Sequence, residues 1–354
     1  MVKFLLYFII ALTRRQDYGL NSSIPNFFGS GFFGEPLNGQ YFLGSGKDIV
    51  VPGRWFPLGN KNLGKKILIN LLSWTPSSLA VILATVLGRL GFWLHEKGYF
   101  KNYLPRALQR SLGVDREEAV KILKANFIHM ARVLFEIARL SRLNKDAVSG
   151  WRRRVETSGY QHFLGAWEKG RGVILTSAHI GNFELLVSGL LLKDIPIYAV
   201  VWKQPHKFES VFLDNIREKF GTKLLYSQEM NTEDAVRILQ KGGVILLVAD
   251  YYTSGKNIVP FFGIPTHMGA GPIHYAVKSG APIIPVCALQ KGNGHQVAFE
   301  PPLELPDEGD VYGEGLKGMT AVYEKWIRSC PEQYFWLLWR KDWGKPDLNR
   351  TFTN

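Results

Sequence analysis

The stretch TSAHIGNFELL, residues 176–186, places His179 five residues before Glu184, with a Gly-Asn pair between them. A histidine oriented by a carboxylate is the arrangement of a general base. The carboxylate fixes the imidazole tautomer and stabilises the imidazolium that forms when a proton is taken. On a continuous helix, positions five apart are separated by about 140° and cannot meet, so the chain must turn between them. Gly181 permits an unusual backbone angle, and Asn182 is a favoured cap for a following helix. His179 is therefore expected at a strand exit, with Glu184 folding back toward it from the first helical turn. A strand-end histidine beside a solvent-facing glutamate accounts for the same residues without catalysis, and the spacing does not choose between them.

The elements that would position these residues are legible from about residue 155 onward. Apolar runs recur at GVILTSA, IPIYAVV, TKLLYS, GGVILLVAD and APIIPVCAL, separated by the helical patterns NFELLVSGLLLK, FESVFLDNIREKFG and NTEDAVRILQKG. Such alternation predicts an α/β fold, a largely parallel sheet flanked by helices. Ligands of these sheets bind at the carboxyl ends of the strands. The polar residues just past each run are His179, Lys203 and Asp250, and they are the site candidates. His267, His274 and His295 have no partner at a useful spacing.

The remainder of the chain divides by composition. Residues 1–60 form an N-terminal extension, largely irregular, whose apolar run at 4–12 is too short to span a membrane and lacks a small-residue cleavage site. Residues 61–150 read as a membrane-associated helical region, 151–345 as the α/β core and 346–354 as a tail. Residues 67–88 hold no charge and suffice in length for a spanning helix, but Pro76 and its Ser/Thr neighbours can split them into an interfacial hairpin, and a buried soluble helix is the third reading. Trp, Tyr, Phe and basic residues follow in GFWLHEKGYFKNYLPR, a mixture suited to a headgroup boundary. An amphipathic helix is expected over 112–145, N-capped by Asp115 with Glu118 three residues on. His129 on that helix reads as structural.

Charge and cysteine usage narrow the function. The formal charge is +13, and residues 61–160 carry eighteen Lys/Arg against seven Asp/Glu. The excess coincides with the most apolar sequence, which favours an anionic membrane surface over nucleic acid. Two cysteines and no metal-binding pattern give no disulfide framework and no metal site, and no cofactor is expected. Cys287, inside PIIPVCAL, reads as a small core residue.

The ordered blocks TSAHIGNFELL, VVWKQPHKFESVFLDNIREKFG, GGVILLVADYYTSGKNIVPFFGIPTHMGAGPIHYAVKSGAPIIPV and CPEQYFWLLWRKDW together resemble the lipid A late acyltransferases and the related phosphatidylinositol mannoside acyltransferases, over roughly 61–345. The resemblance implies transfer of a fatty acyl group from a thioester, on acyl carrier protein or coenzyme A, to a hydroxyl of a membrane glycolipid at the inner face of the cytoplasmic membrane. It implies His179 and Glu184 as the catalytic pair, with Asn182, Lys203 and Asp250 in substrate binding. Asp250 could instead polarise His179, and for the acyl transfer that the resemblance implies, backbone N–H groups around Gly181 and Asn182 are candidates to bind the developing oxyanion. Lys203 stands where the family usually has Arg before Pro, and Leu338 and Trp339 stand where it more often has His-Arg. Phe261, Phe262 and Gly263 form a turn that could line a groove or be a packed aromatic corner. A glycerophospholipid or mannoside acyltransferase and a non-catalytic membrane lipid-binding protein are the alternatives.

Overall fold

The computed structural model describes residues 63–99, 103–143, 155–188, 195–202, 208–250 and 257–338. Lys203, Trp339 and the N-terminal extension lie outside them.

Four helices come first: α1 (Leu63–Trp74), α2 (Ser77–Glu96), α3 (Leu104–Leu112) and α4 (Arg116–Leu140). Pro76 separates α1 from α2, so the uncharged stretch is two helices rather than one continuous span. The elbow is held by α4, whose Arg139 donates to Ser77 Oγ at 3.1 Å and to the Thr75 carbonyl. The Arg142 guanidinium lies over the Trp74 ring. Cations are well placed here because the last carbonyls of α1 lack intrahelical donors. Asp115 caps α4 as expected, accepting from the Glu118 N–H at 2.8 Å.

The hairpin packs small residues inward. Ala84, Gly88 and Gly91 of α2 are buried toward α4, and a Cβ on Gly88 would lie 2.4 Å from the Ile128 Cα, so the two helices cross in near-backbone contact. Large apolar residues point the other way. Ile67, Leu71 and Trp74 on α1, and Leu79, Ile82, Val86 and Trp93 on α2, are exposed at helical spacing. Among the described residues, α2 alone is long and apolar enough to cross a membrane.

The sheet has seven strands. They are β1 (Val155–Ser158), β2 (Val173–Ser177), β3 (Ile197–Val201), β4 (Lys223–Tyr226), β5 (Val244–Val248), β8 (Ile283–Lys291) and β9 (Gly294–Phe299), in the order β1-β9-β8-β2-β5-β3-β4. Strands β8, β2, β5, β3 and β4 are mutually parallel, and β9 turns back antiparallel on β8. Both faces are covered. Val173 and Leu175 of β2 join one hydrophobic cluster and Ile174 the other, and residues of α4 contribute to both. That explains why the central strands read as unbroken apolar runs.

Helices α5 (Tyr160–Trp167), α7 (Phe208–Lys219), α8 (Thr232–Gln240), α9 (Gly271–Ser279) and α10 (Val311–Ser329) surround the sheet, and the four-residue α6 (Glu184–Val187) follows β2. A separate hairpin, β6 (Ile258–Phe261) and β7 (Ile264–His267), turns at Phe262 and packs against α10. That turn is a packed corner: the Phe262 N–H donates to Glu324 at 2.5 Å and Arg328 sits over its ring. Cys287 is fully buried, as expected.

Candidate active site

Strands β2 and β5 run parallel with Ser177 opposite Val248. Two residues past that pair on each strand stand His179 and Asp250. Equal offsets from a registered pair put the two side chains at the same level of the sheet edge, on adjacent strands. His179 Nδ1 is 2.5 Å from Asp250 Oδ1, and the His179 backbone N–H donates to Oδ2 at 2.9 Å. The carboxylate is 2 % exposed and the imidazole 18 %. With Nδ1–H donated to Asp250, the lone pair of the neutral ring resides on Nε2.

The ring is also held by packing. Phe183 meets it edge-on with centroids 4.9 Å apart, and Phe335 packs edge-on against Phe183 in turn. The His179 carbonyl accepts from the Phe335 N–H at 2.9 Å. Each contact restricts a rotation that would remove Nδ1 from Asp250.

Glu184 does not join this pair. Its carboxylate is buried against Arg217 of α7, with Oε1 2.6 Å from Nη2 and Oε2 3.0 Å from Nε, a bidentate fork. Arg217 also donates to Asp214 at 2.9 Å. Burial works against the guanidinium charge, yet Glu184 and Asp214 together lift its pKa above the ordinary arginine range. The expected His179–Glu184 contact is thus corrected to His179–Asp250. The local spacing argument omitted a cation 33 residues away that matches a carboxylate fork far better than an imidazole does. Glu184→Ala is expected to destabilise the fold by about 1.5–3 kcal/mol, because it removes a bidentate charge-assisted partner from a buried guanidinium and leaves it Asp214. Urea unfolding would measure this.

Asn182 is also placed differently from the expectation. It does not cap α6: its amide is buried and donates to Glu136 Oε2 of α4 at 2.8 Å. His295 approaches the same oxygen at 3.3 Å. Burial opposes the charge of Glu136, but the His295 and Asn182 contacts hold its pKa below the usual carboxylate range. A buried charge needs donors, and Asn182 is one of them. His129, one helical face along, is pushed down to about 4 by burial and stays neutral.

The Gly181 and Asn182 N–H groups are likewise committed, to the Gln333 and Ala288 carbonyls, each at 2.9 Å. They are not the oxyanion donors the sequence suggested. Gly181 has φ 61°, and a Cβ there would fall 2.0 Å from the Ala288 oxygen, so glycine is required twice over.

Two residues without an assigned role in the sequence turn out to be close. Arg217 is one. Tyr334 is the other: its hydroxyl donates to Asp250 Oδ2 at 3.0 Å. Both contacts span long sequence separations, so no local spacing announces them. Among the described residues no cluster of His, Cys, Asp and Glu could hold a metal ion.

Comparison with known proteins adds three kinds of relative. The family model described as bacterial lipid A biosynthesis acyltransferase matches residues 64–341, well over half the chain. A phosphatidylinositol mannoside acyltransferase from Mycobacterium tuberculosis is 27% identical over 214 residues, covering 59% of this chain and 67% of that protein. The lipid A biosynthesis palmitoleoyltransferase of Escherichia coli is 23% identical over 229 residues, 62% of this chain and 71% of that protein. The lauroyltransferase of the same organism is 24% identical over 234 residues, 63% and 72% respectively.

Proposed function

The chain belongs to the bacterial lipid A biosynthesis acyltransferase family and is an acyltransferase, and from that premise we propose that it transfers a fatty acyl chain from a thioester to a hydroxyl of a lipid A-type glycolipid, with His179 as general base. Acyl carrier protein is the donor in this reading. The observation that carries it is the buried Asp250 carboxylate on His179 Nδ1, which leaves Nε2 as the ring nitrogen for the acceptor's proton.

The chemistry is direct transfer. Nε2 takes the proton as the acceptor oxygen attacks the thioester carbonyl, and a tetrahedral oxyanion forms. Asp250 stabilises the imidazolium. Collapse breaks the C–S bond, the thiolate takes the proton from Nε2, and ester and thiol leave. No nucleophilic side chain is needed. Glu184 acts at one remove, by clamping α6 to α7 beneath the loop that carries His179. Asn182 serves the same loop through Glu136. Lys203 would supply positive charge for an acceptor phosphate.

The exposed apolar stripe of α1 and α2 supports seating on a membrane, with the active site toward the cytoplasm at the inner membrane. Helix α4 lies between that stripe and the site: Gly88 packs on its Ile128, while its Asn126 donates to the Glu332 and Tyr334 carbonyls.

The test is lipid mass spectrometry on a bacterial host that makes lipid A, with and without the full chain. Addition of one acyl mass to a lipid A-type species is the expected result. Addition to a mannoside or a glycerophospholipid would keep the chemistry and overturn the acceptor. Expression of folded protein with no acylated product, also absent when the purified chain is given acyl carrier protein thioester and lipid A precursor, would overturn the reading.

A further inference from the structure

The six residues PEQYFW, 331–336, are tied both to the loop that carries His179 and to strand β8. Pro331–Gln333 forms a single 3₁₀ turn after α10, and Tyr334 then bridges Ile180 in antiparallel fashion. The Gly181 N–H donates to the Gln333 carbonyl, and the Phe335 N–H to the His179 carbonyl. On the far side, Gln333 exchanges hydrogen bonds with the Gln290 backbone at 2.8 and 3.0 Å. Asn126 of α4 donates to the Glu332 and Tyr334 carbonyls at 2.8 and 2.6 Å. The segment is therefore wedged between α4, β8 and the catalytic loop, bonded to all three.

Tyr334 is fully buried. A buried phenol needs a partner for its hydroxyl, and this one has the Asp250 carboxylate. Oδ2 of Asp250 accepts from the Tyr334 hydroxyl and from the His179 backbone N–H, which leaves Oδ1 aimed at Nδ1. A carboxylate can rotate about its χ2, and two donors on one oxygen fix that rotation. The Tyr334 ring is itself held edge-on by Trp336, with centroids 5.0 Å apart. A second phenol, Tyr323, lies near Asp250 and is taken up by Thr176, 2.5 Å from its oxygen.

We infer that Tyr334 is a positioning residue of the His179–Asp250 pair, and that docking of residues 331–336 completes the site. The inference rests on the general-base reading of His179. It makes the active site a three-part assembly from distant stretches of chain: the exits of β2 and β5, and a wedge from beyond α10. It also gives the Pro-Glu-Gln-Tyr segment a physical task. Pro331 and the 3₁₀ turn set the entry angle, Gln333 locks the wedge to β8, and Tyr334 carries the hydroxyl.

The experiment compares wild type, Tyr334→Phe and His179→Ala in the full chain, in detergent micelles. One measurement is steady-state transfer from acyl carrier protein thioester to lipid A precursor. The other is the proton resonance of His179 Nδ1–H in one-dimensional NMR, identified by its loss in His179→Ala. Tyr334→Phe keeps the ring and removes one charge-assisted hydrogen bond. The expected result is a fall in kcat of about tenfold or more, from the usual strength of such bonds, with KM within about twofold and a displaced Nδ1–H resonance. An unmoved resonance overturns the inference, whatever happens to kcat, because a purely structural phenol would leave it in place. If Tyr334→Phe does not fold, site-specific 3-fluorotyrosine at 334 keeps the hydroxyl and strengthens it as a donor. The resonance must then move, and a constant resonance overturns the inference. Absence of turnover in wild type would sink the acyl-transfer reading instead, while the NMR comparison would still decide the role of Tyr334.

Discussion

Replacing His179 by alanine is expected to lower kcat by about 10²–10⁴-fold, the usual contribution of a positioned general base, with the fold intact. The ring packs edge-on against Phe183 at the strand exit, so its loss costs some packing while the sheet and its flanking helices stay in place. Asp250 keeps two donors, the residue 179 N–H and the Tyr334 hydroxyl, so no bare carboxylate is left in the interior. What disappears is the acceptor for the substrate proton. Any remaining activity would come from holding donor and acceptor together. Steady-state transfer with matched amounts of folded protein, checked by thermal melting, measures the effect.

The second large effect is expected from Asp250→Asn, again about 10²–10⁴-fold in kcat. Asp250 accepts three hydrogens, from His179 N, His179 Nδ1 and Tyr334. An amide has one acceptor oxygen and one NH2 group, so one orientation forces the imidazole into its other tautomer and the other places a donor against a donor. With NH2 toward Nδ1, the imidazole must keep its proton on Nε2 and can no longer take one from an alcohol. With NH2 toward the backbone N–H of His179, the loop itself is repelled. Either way the stabilising charge behind the imidazolium is gone. Because both residues act on one proton transfer, the double variant should be scarcely slower than the worse single one.

The central strands were legible because each is buried on both faces. VIL of VILTS and the whole of VILLV run apolar without a break, and every residue of the two strands is buried except the half-buried Val248. Strand β1, with the sequence VETS, is an edge strand with its polar residues exposed, and β9 alternates GHQVAF. Neither has an unbroken apolar run to announce it, and both went unrecognised. NFELLVSGLLLK reads as a helix three turns long, yet helix is present only over Glu184–Val187 among the residues described there.

At the site, His179 and Asp250 are both identifiable as strand-exit residues, and their pairing stands in the sequence only as an alternative to the nearer Glu184. That pairing depends on β2 and β5 being neighbours, with β3 and β4 beyond, and strand order is a property of the whole sheet. Glu184 was misplaced for the converse reason. It is near His179 in sequence, and its true partner is known only once α7 is docked. Tyr334 stands in a segment that marked the family resemblance, but nothing local shows that its hydroxyl reaches Asp250.

Which carboxylate serves His179 is decided most directly by one comparison: kcat per folded molecule for Asp250→Asn and Glu184→Gln, with the folded fraction measured in the same preparations. Glu184→Gln should cost stability yet turn over within about tenfold of wild type once the folded fraction is counted. Asp250→Asn should fold and scarcely turn over, within the range expected for losing the base. If Glu184→Gln is the folded but inactive protein and Asp250→Asn the active one, the His179–Asp250 pair is not the catalytic pair, and the mechanism proposed for this acyltransferase is wrong.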